Sequence, residues 1–106
     1  MEVAKILFLH LMRAYGPLPI PLKEFAKAAN EHAKWIKKLE KQGIIKFTAA
    51  YIGRRARVII FDVKSDEQLF ETINADPLFP YTERETYPLI SSEKVYDIYE
   101  KLAKDL

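Results

Sequence analysis

The sequence predicts an α+β fold with four strands and two helices in the order β-α-β-β-α-β, followed by a further helix. Three features of the sequence predict this order. A short apolar run near the N-terminus precedes a long amphipathic segment, and two β-prone segments then flank a Gly-Arg pair. This order is the split βαβ, ferredoxin-like arrangement, in which helices cover one face of a four-stranded antiparallel sheet.

The first half of the chain supplies one strand and one long helix. Residues 5–13 are rich in Ile, Leu and Phe, which suits a strand buried on both faces. The proline-rich segment 16–21 disfavours both helix and ladder pairing, so we expect an extended connector there. Between residues 23 and 42, apolar side chains recur on one helical face and lysines lie mostly off it. Gly43 is placed to end this helix.

A β-hairpin is predicted in the middle of the chain. Residues 44–52 and 56–63 are both β-prone, and Gly53 lies between them. A glycine at the first turn position permits a two-residue type II′ turn. In that register Ala50 lies opposite Arg57.

The last third of the chain predicts a short helix, an edge strand and a C-terminal helix. Ser65 opens a capping box, and the helix that follows must end before an Asp-Pro pair. Residues 82–89 form a weaker, charged strand whose proline restricts it to an edge. Ser91 or Ser92 caps the last helix. We expect residues 1–106 to form a single domain, with a ferredoxin-like core at about 5–90 and the C-terminal helix at about 92–105.

Composition excludes several classes of function. The chain has no Cys, which excludes disulfides and Cys-ligated metal sites. Its 17 Lys and Arg residues against 15 Asp and Glu leave a net charge of +2, too small to indicate a nucleic-acid partner. No stretch approaches the ~20 apolar residues that a membrane span needs, and no signal peptide is evident. We therefore expect a cytoplasmic protein that binds neither nucleic acid nor membrane.

The predicted sheet is apolar on both faces. The first strand carries Leu7, Leu9 and Leu11 on one face and Ile6, Phe8 and Met12 on the other. Two helices cover only one face of such a sheet, so a partner subunit is expected to cover the second. The sequence thus predicts a homo-oligomer, a dimer or larger, with room for a cavity between the sheets.

One segment carries a specific resemblance. Residues 76–81, Asp-Pro-Leu-Phe-Pro-Tyr, follow Phe-Asp-Val at residues 61–63, and together they resemble the muconolactone Δ-isomerase family. The similarity is ungapped from about Leu7 to Leu89, about four-fifths of the chain. The resemblance implies a dimeric ferredoxin-like α/β barrel and a large homo-oligomer. It also implies proton transfer within a small carboxylated lactone, with no metal and no organic cofactor.

The chain also departs from the family pattern. Positions of the second strand that carry His, Trp and Arg in the isomerases here hold Phe47, Ala49 and Ala50. Arg54 replaces a family His, and Glu31-His32 stands where the isomerases show an acidic pair. The altered strand favours a non-catalytic ligand-binding or assembly module on the same barrel. Glu31-His32 and the basic turn favour an isomerase, and a different chemistry such as monooxygenation stays open.

An isomerase that shifts a proton needs a base, a group that stabilises an enolate and an anchor for the substrate carboxylate. His32 is the candidate base, with Glu31 beside it to tune the ring, although a packing histidine would occupy the same apolar stripe. His10 shares a strand face with Phe8 and Met12, from which it would point into a cavity between subunits. The alternative role for His10 is an ordinary core or interface histidine.

The basic turn and two tyrosines complete the candidate site. Arg57 shares a strand face with apolar residues, where a bidentate clamp on a substrate carboxylate would explain it, and Arg54 is a second candidate. The alternative for Arg57 is a hairpin end that reaches solvent, or a salt bridge to Glu83 or Glu85 across the subunit interface. Tyr51 and Tyr81 are candidates to line the pocket and donate to an enolate oxygen. No metal site is predicted, because two histidines on separate elements lack a third ligand.

Overall fold

A computed structural model describes residues 5–106, so the four residues that begin the predicted domain lie outside the described part. Its elements are β1 (Ile6–Ala14), α1 (Leu22–Lys41), β2 (Ile45–Ala50), β3 (Ala56–Val63), α2 (Asp66–Asn74), a 3₁₀ turn (Phe79–Tyr81), β4 (Thr82–Leu89) and α3 (Ser92–Asp105). The strands form one sheet in the order β2-β3-β1-β4, and every neighbouring pair is antiparallel. The predicted ferredoxin-like α+β fold is confirmed.

Helix ends follow the predicted capping residues. After α1, Gly43 adopts a positive φ of 74°, and the Ile44 N–H donates to the Leu39 carbonyl at 2.9 Å, which closes the helix as glycine C-caps do. Ser65 Oγ accepts from the N–H of Gln68 at 3.1 Å and begins α2. The Gln68 side chain, however, accepts from the N–H of Lys64 instead of Ser65, so the capping box is shifted by one residue.

The β2–β3 hairpin has the predicted pairing but a longer loop. Ala50 lies opposite Arg57, and Gly53 has a positive φ of 85°. Regular strand structure nevertheless ends at this pair, and residues 51–55 form the loop in place of a two-residue turn. One further hydrogen bond joins the Tyr51 N–H to the Ala56 carbonyl at 2.9 Å, whereas the Ala56 N–H donates to the Arg54 carbonyl within the loop at 2.9 Å.

The core lies between the two helices and one face of the sheet, which we call the covered face. On β1 and β3 this face carries buried side chains at alternate positions, as the pleat requires: Phe8, His10, Met12, Ile59, Phe61 and Val63. His10 is fully buried there, 5.4 Å from the ring centroid of Phe61. Its side chain faces the helices of its own chain, which corrects the expectation that it points into a cavity between subunits.

The opposite face of the sheet, the open face, has no helix of this chain upon it within residues 5–106. It carries the partly exposed apolar side chains Leu7, Leu9, Leu11, Val58 and Ile60. The third helix does not cover it, since no residue of α3 is buried and its own apolar stripe, including Ile98 and Tyr99, is exposed. Among the described residues, no helix is both long enough and apolar enough to cross a membrane.

Candidate functional site

A pocket of about 230 Å³ lies between α1 and the sheet, at the end where β1, β2 and β3 meet the hairpin loop. Its apolar wall comes from β1, α1 and the segment before β4, through Met12, Phe25, Ala29, Ala33 and Leu78. Three arginines of the hairpin also line it, of which Arg54 and Arg55 are exposed and Arg57 is half-buried. The buried imidazole of His32 also lines the pocket.

His32 occupies the buried stripe of α1 with Phe25, Ile36 and Leu39. Its Nδ1 lies 2.7 Å from Oδ1 of Asp76, and the side chain is almost fully buried. Its other ring nitrogen, Nε2, is buried and has no hydrogen-bond partner among the described residues. A buried polar atom without a partner costs stability, so its retention calls for an explanation by function.

The segment between α2 and β4 positions Asp76. Its Oδ1 also accepts from the N–H of Leu78 at 2.9 Å, the Asx-turn contact that a carboxylate makes two residues ahead. Burial alone would raise the pKa of Asp76, but hydrogen bonds from His32 and Leu78, and then the positive charges of protonated His32 and of Arg84, outweigh it and hold that pKa below its ordinary value. Asp76 is therefore ionised and accepts hydrogen bonds only.

The ionised carboxylate fixes the tautomer of His32. Because Asp76 only accepts, Nδ1 of His32 carries the proton and donates it, and in the neutral ring Nε2 is then the unprotonated nitrogen. A neutral imidazole with a free Nε2 and an anion behind Nδ1 is a competent general base. The structure thus pairs a potential base with an orienting carboxylate at the wall of a pocket.

Arg84 joins this pair to His10. Its Nη2 donates to Oδ2 of Asp76 at 2.7 Å, its Nη1 to Nε2 of His10 at 3.2 Å, and its Nε to Oγ1 of Thr82 at 2.8 Å. The guanidinium also lies over the ring of Phe79, 5.6 Å from its centroid. We call His10, His32, Asp76 and Arg84 the polar network.

His10 is the neutral end of the network. Burial first, and then the charge of Arg84, lower the pKa of His10 to about 4. Since a guanidinium only donates, Nε2 of His10 is an acceptor, and its Nδ1–H donates to Oγ1 of Thr86 at 2.9 Å.

The pocket brings together some of the candidate residues. His32, Arg54 and Arg57 line it, whereas Tyr81 packs against the core and Tyr51 lines a separate pocket of about 180 Å³. His10 reaches the pocket only through Arg84, Asp76 and His32.

Glu31 requires a correction. It lies on the exposed side of α1 and pairs with Lys34 at 3.1 Å. The carboxylate that contacts His32 is that of Asp76, because successive helical residues point to different sides of the helix.

Within one chain, among residues 5–106, Arg57 pairs with neither Glu83 nor Glu85, and the alternative of an ion pair across a subunit interface stays a prediction. The Nη1 of Arg57 donates to Oγ1 of Thr48 at 2.9 Å, while Glu83 pairs with Arg13 and Glu85 accepts from Tyr87. Within residues 5–106, no three His, Asp or Glu side chains converge on a point that would hold a metal ion.

Sequence reasoning missed Asp76 and Arg84. Asp76 opens the most specific block of the family resemblance, where a carboxylate before a proline suggested only a helix end. Thr82, Arg84 and Thr86 occupy alternate positions of β4. Strand pairing places them opposite Ala14, Met12 and His10, in that order. A polar stripe facing a buried histidine was the available signal for the network.

His10 makes stability depend on pH. Its pKa is about 4 in the folded chain against an ordinary 6.5, so between these values the unfolded chain binds a proton at this residue more readily than the folded chain does. The free energy of unfolding is therefore highest above pH 6.5 and declines as the pH falls towards 4. The decline amounts to about 3 kcal/mol across that window. We expect His10→Gln to flatten the rise of unfolding free energy between pH 4 and 6.5, measured by urea denaturation.

Asp76 affects the free energy of unfolding over a lower pH range. Its pKa in the folded chain is below the ordinary 3.8, so its stabilising contribution is lost only as the pH falls below that value. Equal slopes for the wild type and His10→Gln between pH 4 and 6.5 would contradict the burial of a neutral His10.

Comparison with known proteins identifies the family. A muconolactone delta-isomerase family model matches residues 6–94, a range that ends within the first turn of α3. A crystal structure of muconolactone isomerase superposes with a TM-score of 0.73 at 26% sequence identity, over 80% of this chain and 88% of that chain. No curated protein matches the sequence. The resemblance seen in the sequence is confirmed, and the chain belongs to the muconolactone delta-isomerase family.

Proposed function

We propose that the protein is a cofactor-independent isomerase that shifts a proton, and with it a C=C bond, within a small carboxylated lactone or a related enolisable acid. One observation carries the proposal. His32 is buried against Asp76, and its unpartnered Nε2 belongs to a ring that lines the pocket. The family adds support, since a structure named muconolactone isomerase has the same fold.

In the proposed reaction, Nε2 of His32 removes a proton from the γ carbon of a lactone whose C=C bond is conjugated with the carbonyl. The C–H electron pair becomes part of a dienolate, and the ring becomes an imidazolium whose Nδ1–H still donates to Asp76. The imidazolium then returns a proton to the α carbon of the dienolate, which leaves the double bond between the β and γ carbons and regenerates the neutral ring. The Asp76 anion stabilises the cationic ring between the two transfers.

The arginines of the hairpin supply the anchor for a carboxylate. Arg57 is held by Thr48 and has no acidic partner among the described residues, so its charge is available to a ligand. Arg54 adds a second positive charge on the same wall. The pocket, at about 230 Å³, lies below the ~300–1,000 Å³ of drug-sized ligand sites, which suits a small acid.

The second candidate function is a non-catalytic ligand-binding or assembly module. The apolar second strand favours it, because Phe47 and Ala49 lie on the open face and Phe47 is 57% exposed. This strand supplies neither a base nor a hydrogen-bond donor from its side chains at those positions. The two candidates differ in whether the protein turns over a substrate that it binds.

We also propose that the protein is a homo-oligomer in which a second copy covers the open face. The observations in support are the partly exposed leucines of β1 and the unburied apolar stripe of α3. Exposed apolar area on this scale is typical of a subunit interface.

Replacing the base tests the reaction. His32→Asn keeps an N–H donor close to the position of Nδ1 but removes Nε2, so we expect at least a hundredfold loss of catalysed exchange. The measurement is proton NMR of muconolactone in heavy water, which registers both isomerisation and deuterium exchange at the enolisable carbon. Glu40→Gln, on the exposed side of the same helix, is the matched control and should leave the rate unchanged.

Two outcomes would contradict the isomerase proposal. Absence of exchange with concentrated wild-type protein removes this reaction and favours the binding module. Exchange that survives in His32→Asn assigns the base elsewhere.

Replacing the anchor tests carboxylate binding. Arg57→Gln removes a charge-assisted contact, so we expect the KM for the lactone acid to rise roughly tenfold to a hundredfold. The methyl ester of the same lactone should respond little, because it lacks the anion. Arg13→Gln, an exposed arginine on β1, is the control. A KM unaffected by Arg57→Gln would show that the carboxylate binds elsewhere.

Light scattering after size exclusion tests the oligomer. We expect a dimer or larger, and Leu9→Glu on the open face should shift it to monomer by burying an unpaired charge at the interface. Leu22→Glu, which changes an exposed leucine at the start of α1, should leave the assembly intact. A wild type that is monomeric at high micromolar concentration would overturn the proposal.

A further inference from the structure

Arg84 is the residue whose role the proposed reaction leaves unexplained. We propose that Arg84 is a positioning residue: it fixes the plane of the Asp76 carboxylate, and through Asp76 it keeps the proton of neutral His32 on Nδ1 and leaves Nε2 unprotonated. The inference rests on the proposed function for its purpose, because a fixed tautomer matters most to a base. The hydrogen bonds that support it are present in the folded chain without substrate, so they can be tested without turnover.

The contacts of Asp76 leave its carboxylate one orientation. Oδ1 accepts from Nδ1 of His32 at 2.7 Å and from the N–H of Leu78 at 2.9 Å, while Oδ2 accepts from Arg84 at 2.7 Å. Three donors from α1, the loop and β4 therefore converge on two oxygens. Without Arg84, Oδ2 would be a buried acceptor with no partner, and no donor from β4 would hold the carboxylate in the plane in which Oδ1 faces His32.

Arg84 is itself held by neutral acceptors on its other nitrogens. His10 and Thr82 accept from Nη1 and Nε, and the side chain is 9% exposed. Asp76 is its only carboxylate partner within residues 5–106. A second carboxylate at the position of His10 would compete with Asp76 for the guanidinium, and a neutral imidazole does not.

Burial of Arg84 is also expected of a purely structural residue. Whether Arg84 positions the His32 ring therefore depends on which other groups could contact that ring. The charged and titratable groups near it come from β1, the hairpin and β3, the loop after α2, and β4: His10, Arg54, Arg55, Arg57, Asp76 and Arg84. Asp76 is the only acceptor among them that contacts the ring. The tautomer of His32 therefore depends on this one carboxylate, and the carboxylate depends on Arg84.

The test measures the tautomers directly. Nitrogen-15 chemical shifts of the histidine rings, followed to alkaline pH so that the neutral form of each ring is observed, distinguish a protonated Nδ1 from a protonated Nε2. In the wild type we expect both His32 and His10 to carry the proton on Nδ1 and to show an unprotonated Nε2. Arg84→Gln should give mixed tautomers at both rings, and it should raise the pKa of His10 from about 4 towards 6.5 because one of the causes that lower it is removed.

Two further variants distinguish the geometry of the Arg84 contacts from its charge and from general effects on folding. Arg84→Lys keeps the charge but reaches one acceptor at a time, so we expect it to preserve the His32 tautomer only in part. Arg13→Gln removes an exposed arginine from β1 and should leave both rings unchanged. If the lactone is turned over, Arg84→Gln should lower kcat roughly tenfold with little change in KM, the scale of one lost charge-assisted hydrogen bond.

If Arg84→Gln does not fold, the wild-type spectrum and the Arg84→Lys variant still test the proposal. A wild-type His32 with its proton on Nε2 overturns the proposal, and so does a folded Arg84→Gln whose His32 keeps the proton fully on Nδ1. These results are independent of turnover. An inactive wild type whose expected tautomers become mixed in Arg84→Gln rejects the isomerase and retains Arg84 as the positioning residue.

Discussion

The hydrogen bonds to the Asp76 carboxylate are the interaction on which the rest of the site depends. This side chain is fully buried, and three separate parts of the chain donate to it. A buried carboxylate is costly unless it is paired and fully hydrogen-bonded, and Asp76 meets both conditions. Its contacts fix where α1 lies over the sheet and how the chain turns from α2 into β4. The orientation of His32 follows from them.

The division of the sheet into two faces explains why the site lies where it does. The covered face takes the helices and the buried aromatic side chains, and the polar network occupies it towards β4. The pocket forms beside the hairpin, where small residues such as Ala29 and Ala33 of α1 leave space above Met12. The open face contributes no polar side chain to this pocket.

Periodicity and turn chemistry made most of the fold predictable. Residues 82–89 form β4 as expected, Gly43 ends α1, and the apolar stripe of α1 already contained His32. The partner of His32 was not predictable in the same way. Asp76 is 44 residues away, and its contact depends on how the loop after α2 folds back. Neighbouring Glu31 looked closer in sequence, although helical geometry turns it towards solvent.

The network also constrains which way β4 can pair. Thr82, Arg84 and Thr86 face inwards, whereas Glu83, Glu85 and Tyr87 alternate with them. A slip of one residue along β1 would exchange the two sets, because side chains of a strand alternate with period two. The slip would bring a glutamate to face Asp76 in the place of a guanidinium, and two buried carboxylates repel each other strongly. Edge strands with little apolar burial are prone to such errors, and here a charged side chain discriminates against the wrong alignment.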